Sequence, residues 1–478
     1  MKILFVASEA FPFIKTGGLG DVAYALPKAL RKVGVDARVI IPKYSQIKDH
    51  FKDKMTKLWD FEVPVGEKNQ YCGLWKLEHD GIPFYFIDNE SYFNRENPYG
   101  EYDDGERFAY FSKAVLDSIV HFDEFVPDIL HCNDWHTAMC IPMLQAFYQN
   151  QGIYQNMRTV FTIHNLRYQG VYGEEVLWQQ LNLDSGYYSE DKLKFHDGIS
   201  FMKGGIVYAN AVSTVSPTYA EEIKNEYYGE GLHGLLQSKS SNLFGILNGL
   251  DTDINDPRTD MHMFVNYDEN TLDNKAKNKE KLQEMLNLPV NRDIPMIGMV
   301  TRLVDQKGLD LIQAVIGEML QEDIQFVVLG TGDRQYEDMF KFFAWKYPTK
   351  LSANIYFDAS LAQKIYGASD MFLMPSQFEP CGIGQLIALR YGSIPIVRET
   401  GGLNDTVFSY NEFTGEGNGF SFANFNAHDM LYTIRRAIGC YWNKETWTKL
   451  VYSGMTGDYT WDKSAGEYID MYNWVQTH

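Results

Sequence analysis

One rhythm dominates the chain: a short continuous apolar run, a Gly-rich or polar turn, then a helical stretch, repeated along most of its length. Residues 3–7, 37–41, 84–87, 129–131, 159–163 and 212–215 form a first series of such runs, and 296–300, 326–329, 355–357, 372–374 and 394–397 a second. Continuous rather than alternating apolarity suits parallel strands covered by helices on both faces. Helical stretches such as 21–33 and 309–320 lie between the runs, the βαβ order of doubly wound α/β sheets. The rhythm breaks over 250–293, which is polar and rich in Asn, Asp and Lys, with no strand expected before Met296. Two sheets are therefore expected, with a hinge near 248–253. The tail repeats Ala465, Ile469, Tyr472 and Val475 at helical spacing, with Thr460 placed to cap it.

At about 100–200 residues per domain, a length of 478 residues suggests two to four domains. With 43 Lys and Arg against 63 Asp and Glu, the formal charge is −20, which argues against a general nucleic-acid or membrane-surface binder. The five cysteines form no CxxC pair, the opening residues are too short an apolar run for a signal peptide, and no run approaches a membrane span. These features lead to the expectation of a cytoplasmic protein with reduced thiols.

Against that acidic background a few motifs at strand ends stand out. Lys15-Thr-Gly-Gly-Leu-Gly-Asp21 precedes a helix, where glycines let backbone N–H groups approach an anion and the helix start favours it; the plain alternative is a strand–helix turn. Gly18-Leu-Gly-Asp-Val-Ala23 also fits the dinucleotide fingerprint, but nine residues separate it from Ser8 and no acidic residue ends the second strand. Thr301-Arg302 through Lys307-Gly308 follows a strand with two cations, a planar fork and a mobile point charge able to neutralise a diphosphate without metal. Leu329-Gly330-Thr-Gly-Asp333 follows the next strand. Glu379-Pro-Cys381-Gly382-Ile383-Gly384-Gln385 then sets a carboxylate beside a Gly-rich helix start, suited to sugar hydroxyls and phosphate together; a buried Glu ion pair is the plain alternative. His131-Cys-Asn-Asp134-Trp135-His136 and Thr162-Ile-His164-Asn165 end two other strands. They lack the separated ligand pairs of a zinc site, and Trp135 suits a sugar platform. Asp251-Thr-Asp253 matches the short D-x-D pattern of some divalent-cation sites, a pattern common by chance. A short echo links Thr16-Gly-Gly-Leu19 to Thr400-Gly-Gly-Leu403.

Taken in order, these motifs, with Ala7-Ser8-Glu9, Leu247-Asn248-Gly249 and Tyr391-Gly392, resemble the bacterial glycogen synthase and plant starch synthase family over nearly the whole chain. The resemblance implies a GT-B fold, two Rossmann-like doubly wound domains facing across a cleft. Residues 1–245 would form the acceptor-side domain, completed by a C-terminal helix at 460–478, and 246–459 the nucleotide-sugar donor side. It implies retaining transfer of glucose from ADP-glucose to the nonreducing end of an α-1,4-glucan, with no cofactor and no metal. Glu379, His164, Lys307 and Arg302 would be the catalytic group. Lys15, Gly17, Gly18, Asp21, Asn248, Gly330 and the segment Cys381, Gly382, Ile383 and Gly384 would bind the donor. Phe357 would stack on adenine, and Trp135 and His136 would lie toward the glucan. Partners would be donor and acceptor alone, with no nucleic acid and no membrane.

Two departures accompany the resemblance. Many retaining GT-B enzymes carry a second Glu eight residues after the first, where this chain has Ile387, and the family often has Thr where Gly384 stands. Three rivals remain open on the residues. They are a GT-B transferase using UDP-glucose or a sucrose-type substrate, a non-catalytic glucan-binding protein, and an NAD-linked oxidoreductase disfavoured by the loop length.

Overall fold

A computed structural model describes all residues, 1–478. The chain divides into two compact units, Met1–Asn248 with Trp461–His478, and Gly249–Thr460.

The first unit carries strands β1 (Lys2–Val6), β2 (Asp36–Pro42), β3 (Thr56–Val65), β4 (Lys68–His79), β5 (Ile82–Asp88), β6 (Ile129–Asn133), β7 (Arg158–Ile163), β8 (Val171–Gly173), β9 (Lys194–Phe195), β10 (Gly198–Ser200), β11 (Ala211–Thr214) and β12 (Leu243–Gly245). Nine of them form one sheet in the order β12-β11-β7-β6-β1-β2-β5-β4-β3. All its pairings are parallel except those of β4, which runs antiparallel to β3 and β5. The central strands are continuous apolar runs because both faces are covered: Ile3, Leu4, Phe5 and Val6 are fully buried. The half-exposed β3–β4 hairpin was not among the expected strands, since its polar residues break up the continuous apolar run that marks a strand covered on both faces. β8, β9 and β10 make a small separate antiparallel sheet.

The tail helix, Trp461–Thr477, packs into this unit and buries Ala465, Tyr472 and Val475. It ties to the sheet through the Tyr472 hydroxyl, 2.8 Å from Nδ1 of His131. Thr460 turns its hydroxyl to Asp458 at 2.8 Å.

The second unit holds β13 (Met296–Val300), β14 (Gln325–Leu329), β15 (Leu351–Asn354), β16 (Met371–Met374), β17 (Ile394–Arg398) and β18 (Phe420–Phe422). They form a wholly parallel sheet in the order β15-β14-β13-β16-β17-β18. Counted within the unit this is 3-2-1-4-5-6, the dinucleotide-fold order, and its direction of winding reverses between β13 and β16. The parallel part of the first unit repeats the pattern, β5-β2-β1-β6-β7-β11, and reverses between β1 and β6. In such sheets, ligands bind outside the carboxyl ends of the strands at the reversal point. One expectation is corrected here. The third strand of this unit is Leu351–Asn354, not 355–357. Asn354 ends it by donating its side-chain amide to Val328 O (3.1 Å) and Ser352 Oγ (3.1 Å), so Phe357 falls beyond the sheet.

Candidate active site

In the second unit the loops after β13 and β16 meet at the reversal point. The β13 loop carries Arg302, whose guanidinium is exposed and enters no ion pair, and Lys307. It turns through Gly308 (φ +74), where a Cβ would lie 2.1 Å from Pro375 O. The β16 loop carries Glu379, which is 7 % exposed. Lys307 Nζ donates to Glu379 Oε2 at 2.6 Å, and Ser376 Oγ donates to the same oxygen at 3.0 Å. Backbone bonding joins the two loops where Gln377 N–H donates to Gln306 O at 2.9 Å. The buried Glu ion pair weighed as the plain alternative thus exists, and it joins two of the expected catalytic residues.

Beyond Glu379 the chain enters the helix Gly384–Arg390. Gln385, fully buried, donates its side-chain amide to the carbonyls of Cys381 (3.1 Å) and Gly382 (3.0 Å). A peptide N–H points opposite the preceding carbonyl. Pinning these carbonyls inward therefore turns the N–H groups of Gly382 and Ile383 outward, and these two, with that of Gly384, have no acceptor within the chain. Gly382 sits at φ +71 and Ile383 caps the helix. Such free amides at a helix start suit an anion, and Lys307 is held on the same loop through Glu379. At Gly384 a Cβ would meet the Tyr366 hydroxyl at 3.2 Å and Met374 Sδ at 3.3 Å, so a larger residue there would crowd both.

The glycines of Thr400–Leu403 serve the same loop. Gly402 N–H donates to Glu379 O and Pro380 O, both at 3.1 Å. A Cβ on Gly401 would lie 1.9 Å from Glu379 O. Gly330 has an equally close neighbour, since its Cβ would fall 1.8 Å from Thr301 O, which lets the β14 loop run beside Arg302. Phe357 stands 89 % exposed, its ring on the surface.

In the first unit the loops after β1, β6 and β7 gather at the corresponding reversal point. Lys15 Nζ pairs with Asp21 at 2.7 Å near the surface. The glycine loop differs from the expected phosphate cradle. The N–H groups of Thr16 (2.6 Å), Gly17 (3.1 Å) and Gly20 (2.9 Å) already donate to the carboxylate of Glu9. Asn133 Oδ1 lies 2.9 Å from Nε2 of His164, while Asn133 Nδ2 donates to Val6 O at 3.1 Å. Asn133 Oδ1 therefore accepts, Nε2 carries the proton and Nδ1 is left as an acceptor. Burial pushes the His164 imidazole down to about 3, so the ring is neutral near pH 7. Asp134, at φ +57, holds the backbone N–H of His164 at 2.8 Å and so locks the β6 and β7 loops together.

Trp135 is 8 % exposed and stacks on His136 at 4.0 Å between ring centres. His136 is caged by Tyr99 and Phe108, neither ring nitrogen has a partner, and burial pushes its imidazole down to about 3. Trp135 borders a cavity of about 660 Å³ that Arg167, Tyr168, Tyr172, His196 and Glu230 also line. Asn248 is buried with Oδ1 unpaired.

Sequence reading gave no role to Asn133, Ser376 or Gln385, although each stands inside or beside a quoted motif. A polar residue directly flanking a functional one at a strand or helix end is the signal that could have found them. His131, by contrast, is a core residue, with its second nitrogen 2.6 Å from Thr162 Oγ1. Asp251 Oδ1 accepts the Asp253 N–H at 2.9 Å, and no group of three or more His, Cys, Asp or Glu gathers as a metal would need.

Comparison with known proteins gives the family. Residues 2–238 match the starch synthase catalytic domain family and residues 280–450 the group 1 glycosyl transferases. Glycogen synthases of Clostridium novyi (strain NT) and Clostridium acetobutylicum are 69 % and 64 % identical over 473 residues, with 99 % of each chain covered. The chain belongs to the glycogen and starch synthase family. A solved structure of the family, the catalytic domain of starch synthase IV from Arabidopsis thaliana bound to ADP and acarbose, superposes with a TM-score of 0.93 at 36 % identity, covering 100 % of this chain and 99 % of that one. The fold is accordingly of the GT-B class, as the resemblance implied. Sucrose-phosphate synthase from Thermosynechococcus elongatus shares the fold alone, at a TM-score of 0.64 and 16 % identity over 99 % of this chain and 98 % of that one. Like its family, the chain is a glycosyltransferase, and none of its helices is long and apolar enough to cross a membrane.

Proposed function

We propose that this chain transfers glucose from ADP-glucose to the nonreducing end of an α-1,4-glucan with retention at the anomeric carbon, in the cytoplasm. The observation that carries the reading is the loop pair of the second unit. At the reversal point of a dinucleotide-type sheet, Lys307 pairs with the carboxylate of Glu379, Arg302 on the same loop enters no ion pair, and the amides of Gly382, Ile383 and Gly384 just beyond Glu379 have no acceptor within the chain. A diphosphate leaving group and a glucosyl ring need that combination.

The C1–O bond to the β-phosphate breaks, so negative charge grows on the diphosphate. Arg302, Lys307 and the amides of Gly382, Ile383 and Gly384 stabilise it through fixed donors. Glu379 and Cys381 hold the sugar and its phosphate, and Phe357 stacks on the adenine. The positive charge growing at C1 is met by carboxylate and carbonyl dipoles. The acceptor 4-hydroxyl oxygen forms the new bond from the same face, and its proton passes to the departing phosphate oxygen, so no protein base is needed. A neutral His164 fits this course. It positions the glucose with Asn248 and Asp21 and does not protonate the leaving group, while the Lys15–Gly17–Gly18 loop meets donor phosphate or sugar. The cavity beside Trp135 and His136, with aromatic and charged walls, takes the glucan. Gly330 acts by letting the β14 loop lie close to Arg302.

The test is nucleotide release with glycogen present, run in parallel on ADP-glucose and UDP-glucose, with EDTA in both. ADP release matched by labelled glucose entering glycogen is expected. Release from UDP-glucose alone would overturn the donor assignment, and glycogen binding without release from either would overturn the reading as an enzyme.

A further inference from the structure

Glu9 follows β1, is 1 % exposed, and has no role in the chemistry above. Its carboxylate is the most heavily used in either loop set. Oε1 accepts from Gly17 and Gly20, and Oε2 from the N–H of Thr16, the Thr16 hydroxyl (2.6 Å) and the Tyr99 hydroxyl (3.2 Å). The Thr16 and Tyr99 hydroxyls are also in contact with each other.

These donors sit at the start of the helix Gly18–Lys32, whose cap position, Gly17, has no side chain to satisfy them. The first amides of a helix need acceptors, and its positive end favours an anion. Glu9 supplies both from outside the helix. Its oxygens reach across the loop from Thr16 to Gly20, so the loop is wrapped around one carboxylate. The amides of Gly18 and Leu19, which have no acceptor within the chain, are left to face outward.

We propose that Glu9 is a positioning residue for the donor. It acts as an internal anion that fixes the shape of the Lys15–Gly20 loop and selects which of its amides remain free for the nucleotide-sugar. The inference rests on the glucosyltransferase reading and deepens it: the loop is ordered before the donor arrives.

The charge and the two-oxygen geometry are both required. Glutamine keeps one acceptor oxygen but turns an NH2 group toward donors already there; alanine removes everything. The test uses the full-length Glu9→Gln and Glu9→Ala variants, with Thr16→Val removing only the hydroxyl arm. Hydrogen exchange of residues 10–24 without substrate reads the loop, and ADP-release kinetics read the donor and the glucan separately.

Faster exchange at Thr16, Gly17 and Gly20 is expected in both Glu9 variants, with the donor KM rising ~10-fold or more, a loss in keeping with charged hydrogen bonds. The glucan KM should stay within ~2-fold, and the order of severity should be Ala, Gln, then Thr16→Val. Unchanged exchange, or fast exchange with an unchanged donor KM, would overturn the proposal. So would an equal fall in melting temperature and kcat with both KM values intact, since that pattern marks a purely structural role. If Glu9→Ala fails to fold, Glu9→Gln carries the test. If the parent chain releases nucleotide from no sugar donor, the functional reading fails while the exchange data still decide whether Glu9 holds the loop.

Discussion

Replacing Lys307 separates its two roles. Lys307→Met keeps the stem and removes the charge that sits 2.6 Å from Glu379. The side chains of the pair are 16 % and 10 % exposed, so the remaining carboxylate is nearly buried and keeps only the Ser376 hydroxyl at 3.0 Å. Stripping a buried carboxylate of its partner costs about 3–5 kcal/mol, and the residual exposure argues for the lower end. For a unit of this size that lowers Tm by roughly 6–12 °C. Separately, losing a fixed donor to transition-state charge costs about 2.7–4 kcal/mol, a ~100- to 1,000-fold fall in kcat. Adding Glu379→Gln should resolve the two. The double variant no longer buries an unpaired charge and should recover most of the lost Tm, yet its rate should stay at or below that of the single variant. Calorimetry and ADP-release kinetics on the parent, both singles and the double complete the cycle. Recovery of rate together with stability would refute the reasoning, because Lys307 would then serve only as the counter-ion of Glu379. A near-normal rate in Lys307→Met would remove it from the diphosphate site altogether.

Three further outcomes follow. Phe357→Ala should raise the donor KM about 5- to 150-fold, the ~1–3 kcal/mol of one base–aromatic stack, with kcat less affected and Tm unchanged because the ring is 89 % exposed; an unchanged KM would end the stacking role. Gly401→Ala puts a Cβ 1.9 Å from Glu379 O at φ +46 and should cut kcat by ~10-fold or more through the displaced Glu379 loop, whereas Gly415→Ala, also at positive φ but in open space, should cost only about 1 kcal/mol of stability in denaturant titrations. His131, fully buried, has its imidazole pushed down to about 3 by desolvation, so the folded state stays neutral while the unfolded chain takes a proton below about 6.5. The stability this histidine contributes is complete above that pH and falls toward pH 3; in His131→Gln the acid limb should be shallower by up to about 1.4 kcal/mol per pH unit, and parallel limbs would disprove it.

Much of the site was legible because α/β sheets put function at strand ends. Arg302, Lys307 and Glu379 follow apolar runs that became β13 and β16, and the reversal of winding brings those two strands together. What was not legible depends on partners that local pattern cannot name. The run at 355–357 was as apolar as a strand, but pairing with β14 selected Leu351–Asn354, whose hydrogen bonds lie along β14. The β3–β4 hairpin hides because polar residues break up its apolar runs. That His164 is a neutral ring with its Nε2 proton held by Asn133 depends on burial and on a partner from another strand end, neither of which its motif shows.

The echoed tetrapeptide shows why spacing and composition stop short of chemistry. Thr16-Gly-Gly-Leu19 and Thr400-Gly-Gly-Leu403 are the same four residues, each beginning a helix and each locked to a glutamate. In the first unit the glutamate is Glu9, and it is the carboxylate that the loop grips, so its charge is spent holding backbone amides. In the second it is Glu379, and the loop grips its main-chain carbonyl, with Gly401 and Gly402 giving the backbone room. That contact leaves the Glu379 carboxylate to Lys307 and Ser376, and with Gln385 pinning the next two carbonyls, the amides beyond stay open. One loop sequence therefore yields a filled anion seat in one unit and supports an open one in the other. The difference lies in whether the side chain or the main chain of the distant glutamate faces the loop, and only the fold decides that.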